Sequence, residues 1–174
     1  SLFAGPAIYA AMGLAGFAFL AFAGIPGIVI PQKVAMAANS FPLLAAPLFI
    51  LMGNLMNSAG ISYRIFDFAK ALVGWMHGGL AQANIIGSVI FAGMSGSAVA
   101  DAAGLGTVEI EAMKKEGYDG ATAGAVTAAS ATIGPIIPPS LPMIVYGVAA
   151  ETSIGALFLA GFVPGFLMAG ALML

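Results

Sequence analysis

Four prolines crowd the stretch TIGPIIPPSLP, residues 132–142, inside one of the most apolar parts of the chain. A proline has no amide hydrogen, so it cannot bond the carbonyl four residues before it in a helix. Pro135, Pro138, Pro139 and Pro142 therefore release the carbonyls of Ala131, Gly134, Pro135 and Pro138. In hydrocarbon no water repairs that loss, and each unmet acceptor costs several kcal/mol. Water, a polar side chain or a bound cation must meet them. Carbonyl oxygens suit a hard cation such as Na⁺. Unwound helices of secondary transporters bind coupling ions this way, while half-helix N-termini face anionic substrate groups. The plainer alternative is a proline kink satisfied by neighbouring helices. Four prolines together with Gly134 and Ser140 favour a site.

A second interruption supports that reading. FAGMSGSAVADAAGLG, residues 91–106, offers hydroxyls at Ser95 and Ser97 and glycines that allow close backbone approach. Ser95, Gly96 and Ser97 at this tip, with Pro139 and Ser140 in the broken segment, are the expected substrate-facing positions. Asp101 is the one acid inside the interrupted region. It is either a functional carboxylate or a group bonding nearby helix backbone, and the two readings weigh equally. Residues 93–96 also fit the GxSG around the nucleophile of rhomboid-type intramembrane serine proteases. Such a serine needs a base, and the only histidine, His77, precedes it in a turn. His77 and Trp75 read better as interfacial residues. Glu109, Glu111, Glu116 and Asp119, in EIEAMKKEGYDG, are expected to be solvated turn charges.

The composition sets the solvent for these elements. Hydrophobic residues make up 61% of the 174 and charged residues 7%, against about 25% charged in soluble domains. That is a membrane composition. Cysteine is absent, which excludes disulfides and thiolate metal sites. A formal net charge of −2 argues for neither nucleic acid nor anionic lipid as a partner. No phosphate-binding loop is present, so ATP is not implied as the energy source. Ser1–Phe3 carry no charge, unlike the start of a cleaved signal peptide. The chain opens without methionine and stops inside GFLMAGALML, so it is expected to be a piece of a longer protein.

A bilayer crossing takes about 20 apolar residues. Phe3 to Phe22 predicts one span, with Gly5, Ala10, Ala11, Gly13, Ala15 and Gly16 suited to close packing. Residues 24–42 form a punctuated connection with a short helix over Lys33–Ala38. Leu43–Ser58 predicts a shorter span. In residues 62–76, Ile65, Phe66, Ala69, Leu72, Val73 and Met76 recur at helical spacing opposite Arg64, Asp67 and Lys70, which predicts a helix at the interface. Residues 80–112 predict a re-entrant hairpin, since each arm of about 15 residues is too short to cross. Ala121–Ala150 is a long element broken near 134–140, and another helix starts at Ser153. A hairpin returns to the face it left, so Arg64, Lys70, Lys114 and Lys115 share one side and Lys33 lies on the other. The richer side is cytoplasmic by the positive-inside rule, which puts the N-terminus outside.

The stretch from FAGMSGS through TIGPIIPPSLPMIVYG resembles the large membrane subunit of tripartite ATP-independent periplasmic (TRAP) transporters. NSFPLLAAPLFILMGNLMNSAGI (39–61) and SIGALFLAGFVPG (153–165) resemble the same family. The resemblance covers nearly the whole chain. It implies an elevator-type, Na⁺-coupled importer of organic anions, carboxylates or sugar acids, working with a small membrane subunit and a periplasmic substrate-binding protein. It also implies a second, inverted half with its own hairpin, absent from these 174 residues. By motif, one family Na⁺ site maps onto Ser95 and the backbone at Gly134, Ile137 and Pro138. Gly134 and Pro138 are carbonyls that proline spacing had already freed; Ile137 rests on the resemblance alone. Ala92 stands where the family often has serine, so only its carbonyl is available as a ligand.

The resulting expectation is an all-α, multi-span integral membrane protein of a bacterial or archaeal inner membrane. It is the first half of an inverted-repeat elevator fold and not an enzyme. Residues 1–78 form scaffold spans and an interfacial arm, 79–150 the mobile hairpin and broken helix, and 151–174 a further helix. Na⁺ is the coupling ion and no other cofactor is expected. The lipid bilayer, an organic anion and the two TRAP partners are its companions. A rhomboid-like protease and a passive channel or scaffold subunit are the alternatives.

Overall fold

The computed structural model describes residues 8–174 and is helical, with no strand among those residues. Ten helices follow one another: α1 Ile8–Phe22, α2 Val29–Ala38, α3 Phe41–Ser58, α4 Ile61–Val73, α5 Gly79–Ser95, α6 Ala98–Ala103, α7 Leu105–Lys115, α8 Gly120–Ala131, α9 Leu141–Ala149 and α10 Ile154–Leu172. Two compact units are present. One ends at Ser40, and the other is Phe41–Leu174.

The first unit, over its described residues 8–40, contains α1 and α2. The predicted span from Phe3 begins outside the described residues. Tyr9, Met12, Leu14, Phe17, Phe19 and Phe22 are all exposed on α1, and nothing lies within 4 Å of where a Cβ would stand on Gly13 or Gly16. These small residues therefore receive no neighbour in this structure. The short helix expected over Lys33–Ala38 starts earlier, at Val29, because Pro31 sits in its first turn, where the missing amide costs nothing.

In the second unit α4 buries Ser62, Ile65, Phe66, Ala69 and Val73, a stripe at intervals of three and four. Arg64, Asp67 and Lys70 are exposed, as the sequence pattern required. Leu72 and Met76 do not join the buried stripe. Leu72 lies at the edge of the stripe, about 20° of helix rotation beyond Ile65, and Met76 lies past the helix end at Val73.

Helices α5 and α7 run antiparallel. Asn84 meets Met113 near one end, and Gly87 faces Leu105 and Glu109 further along. The turn between the arms is Gly96–Ser97, and a second break at Gly104 divides the returning arm into α6 and α7. Helix α8 returns beside α7, with Thr127 against Gly106, where a Cβ would stand 2.6 Å from the Thr127 methyl. Helices α3 and α4, assigned to the scaffold from sequence, lie in this same compact unit. Among the described residues α10 is the one single helix long and apolar enough to cross a membrane. Tyr9–Phe22 and Gly79–Ser95 are apolar but shorter.

The charge-rich stretch 109–120 departs from its expected form. It is helical through Lys115, and Glu109 is completely buried. Helical spacing explains this: Leu105, Val108, Glu109 and Met113 occupy one face of α7, and all four are buried. Glu111 and Glu116 are exposed, as is Asp119, which accepts from the amides of Ala121 and Thr122 and caps α8.

Candidate functional site

Four helix ends converge where the two interrupted segments meet. Helix α5 closes on Gly96, whose φ of +61° lies in the left-handed region and whose amide donates to the Ala92 carbonyl at 3.2 Å. Glycine is required there twice over, because a Cβ would also collide with the Pro139 carbonyl oxygen. The Gly96 carbonyl accepts from the Leu141 amide at 3.2 Å, which joins the hairpin tip to the start of α9. Gly134 packs against the other side of the tip, with its Cβ position 3.2 Å from the Ser97 carbonyl carbon.

The broken segment divides its released carbonyls into two classes. Ala131 is met by the Gly134 amide at 3.1 Å in a tightened turn. Pro135 is met by the Ser140 hydroxyl at 2.5 Å. No donor among the described residues reaches the carbonyls of Gly134 or Pro138. Ser95 adds a third unmet oxygen, since its hydroxyl is buried without a partner. The C-terminal ends of α5 and α8 carry partial negative charge, which complements a cation, whereas the N-terminus of α9 complements an anion.

The expected site residues therefore take different places. Gly96 and Ser97 line an open cavity of about 710 Å³, together with Pro135, Leu141 and Tyr146. Ser97 also caps α6, accepting from the Ala100 amide at 3.4 Å. Ser140 is fully buried and caps α9 through the Met143 amide at 3.2 Å. Pro139 turns its carbonyl toward Gly96 across a cis bond from Pro138. Neither Ser140 nor Pro139 lines the cavity. Ile137 packs in a core cluster with Ile85, Ala92, Ile133 and Ala169, which leaves its backbone as the only polar part it can offer. Ala92 spends one lone pair of its carbonyl on Gly96.

The chain as a whole matches the family model for the DctM component of tripartite ATP-independent periplasmic transporters over residues 1–174. It belongs to that family. It is 51% identical over 173 residues to the sialic acid TRAP transporter large permease protein of Vibrio cholerae, covering 99% of this chain and 40% of that one. The sialic acid TRAP transporter permease of Haemophilus influenzae is 56% identical over 142 residues, 82% of this chain and 23% of its own length. The C4-dicarboxylate large permease of Pseudomonas aeruginosa is 42% identical over 141 residues, 81% of this chain and 33% of that one. The chain thus spans less than half the length of each relative.

In this DctM-family chain the protease alternative fails on geometry. His77 precedes α5 and Ser95 ends it, so the two stand about 25 Å apart along the helix axis, far beyond hydrogen-bond reach. A buried polar network around Asn84 and the buried acid Glu109 escaped the sequence reading, which had singled out Asp101 alone. Asn84 on α5 donates to the Thr127 hydroxyl at 2.7 Å and accepts from the Ser130 hydroxyl at 2.6 Å, tying the hairpin to α8. Asp101 and Glu109 are buried in the returning arm. The helical register of Glu109 with Leu105 and Met113 was the available signal for its burial.

Proposed function

We propose that this chain forms part of the membrane permease of a tripartite importer in which Na⁺ drives uptake of an organic anion. A periplasmic binding protein delivers the solute and a small membrane subunit completes the assembly. The relatives are named for sialic acid and C4-dicarboxylate, both carboxylates at neutral pH, and a carboxylate or sugar acid is the solute class assigned here. In this reading the chain is a multi-pass inner-membrane protein with its N-terminus periplasmic. The α5–α7 hairpin is re-entrant from the cytoplasmic side. It moves with α8 and α9 as an elevator, while α1–α4 belong to the scaffold.

One observation supports the ion site most directly: the carbonyls of Gly134 and Pro138 and the hydroxyl of Ser95 are left without donors beside the same tip contact. Na⁺ bound to Ser95 and to the backbone of Ala92, Gly134, Ile137 and Pro138 would hold both broken elements in register. Solute would then meet an ordered site, a coupling of about 1–3 kcal/mol. Replacing Pro138 with alanine restores an amide donor for the Gly134 carbonyl and withdraws that oxygen from the ion. In proteoliposomes with the cognate binding protein, Pro138→Ala should raise the half-saturating Na⁺ concentration roughly tenfold, equivalent to about 1.4 kcal/mol, with assembly intact. Unchanged Na⁺ dependence in an assembled variant overturns the ion site and leaves the prolines a purely structural role.

A further inference from the structure

Deep in the hairpin, away from the tip, lies a carboxyl group that the proposed transport site does not use. Glu109 on α7 is 0% exposed, and no donor reaches either of its oxygens. Contact with α5 fixes its position. Glu109 Oε1 stands 2.7 Å from the place a Cβ would occupy on Gly87, and Leu105 Cδ2 stands 3.2 Å from that place. The acid therefore fills the space left by the missing side chain, with its head against bare helix backbone. Leu105 and Met113, fully buried on the same face of α7, flank it one turn before and one turn after.

No side chain supplies the charge or the hydrogen that an ionised carboxylate needs there. Helices α3, α5, α8 and α10 contain no titratable residue within their bounds. The amide of Asn84, one turn before Gly87 on α5, is spent on the Thr127 hydroxyl and the Met113 sulfur. The Thr107 hydroxyl is spent on the Gly104 carbonyl. Helix α4 carries Tyr63, Arg64, Asp67 and Lys70, all exposed, with the Lys70 ammonium 5.9 Å from the Phe66 ring centre. On α7 itself Glu111, Lys114 and Lys115 are exposed, and Lys114 Nζ lies 3.5 Å from the Cβ position of Gly120. The one titratable group of α6 is Asp101, another buried acid without a donor. A buried carboxylate with neither counter-charge nor donor is strongly destabilising. The neutral acid carries its own donor.

We propose that Glu109 is held as a neutral carboxylic acid, a proton-binding site whose O–H bonds the α5 backbone beside Gly87 and clasps the two hairpin arms together. In a helix, an oxygen carried at a side-chain position reaches the carbonyls one turn back, as serine and threonine hydroxyls do. Glu109 brings such an oxygen to α5 from a neighbouring helix, and a methyl group at position 87 would displace it. A helix carbonyl has a second lone pair free while the first holds the helix bond. A proton needs only that one acceptor, whereas a metal ion needs several oxygens around it. Loss of the proton would set a carboxylate against the same carbonyl and push the arms apart.

Infrared difference spectroscopy of the whole assembled permease tests this, with H₂O/D₂O exchange to identify carboxylic-acid bands. At about pH 7 the unmodified protein should show a protonated carboxyl band that disappears in Glu109→Gln. Gly87→Ala pushes the acid off the backbone and should shift the frequency of that band. Above the ordinary carboxyl range, folding takes up a proton at Glu109, so stability falls as pH rises. Between about pH 5 and about pH 8 the unfolding midpoint should therefore drop further in the unmodified protein than in Glu109→Gln, whose amide keeps its donor at every pH. Absence of a protonated carboxyl band from the unmodified protein overturns the site, even if neither variant assembles. A band unmoved by both substitutions, or equal pH slopes, overturns it as well. Loss of the band on adding Na⁺ at fixed pH does so too, because the occupant would then be the metal. The readout is independent of uptake, so it can fail while the tip ion site stands, or the reverse.

Discussion

Helix α10 and the hairpin use the same device to opposite ends. On α10 the buried residues are Gly161, Gly165 and Ala169, spaced four apart, and small residues at that interval let another backbone come close. A Cβ on Gly161 would stand 2.5 Å from the Ile136 carbonyl oxygen, and one on Gly165 would stand 2.5 Å from Ile137 Cγ1. The helix is a smooth track against which the broken segment rests. In the hairpin, Gly87 and Gly106 make room instead for Glu109 and Thr127, and with them comes a polar interior: Asn84, Ser88, Asp101, Thr127 and Ser130. A missing side chain on an apolar face gives close contact. A missing side chain beside polar groups gives them a place inside, where they must find partners or a proton.

That contrast can be broken at its strongest point first. Gly87→Val should be the most disruptive single change, costing about 3–5 kcal/mol, since it displaces a buried carboxyl as well as overpacking the core. Gly165→Val overpacks an apolar contact only and should cost about 1–3 kcal/mol. Thermal unfolding of the assembled protein in detergent compares the two, and equal shifts would mean that the buried carboxyl beside Gly87 adds nothing to the cost of overpacking. Asn84→Ala leaves the hydroxyls of Thr127 and Ser130 without their shared partner and should cost about 1–3 kcal/mol. Adding Thr127→Ala to it should cost much less than the sum, and additive losses in that double-mutant cycle would deny the network. The smallest expected effect is at Ser140. Ser140→Ala removes the cap of α9 and the donor to the Pro135 carbonyl, a loss of about 1–2 kcal/mol. If hydrogen exchange at the Met143 amide stays unchanged in that variant, the capping role is wrong.

Much of this was legible beforehand because it follows from local rules. Proline spacing marked the break between α8 and α9, and two of its four released carbonyls stay unmet. Gly96 marked the turn between α5 and α6, and the buried stripe of α4 followed its apolar period. Other features were hidden for an equally physical reason. Glu109 looked like a surface charge because its neighbours Glu111, Lys114 and Lys115 are surface charges. Only the docking of α7 on α5 put it beside Gly87. Ser140 looked like a ligand-facing hydroxyl, and the local fold spends it on a cap and a carbonyl.

By itself the sequence determined where the backbone must break, which helices have a charged face, and which family the chain belongs to. Those properties depend on residues within a turn or two of one another, or on a motif read directly. Tertiary structure alone decided which freed carbonyls are satisfied, which serines are consumed as caps, and which acids lose water. Satisfaction and desolvation depend on what another helix brings to the same point, and the partners of Asn84 lie 43 and 46 residues away along the chain.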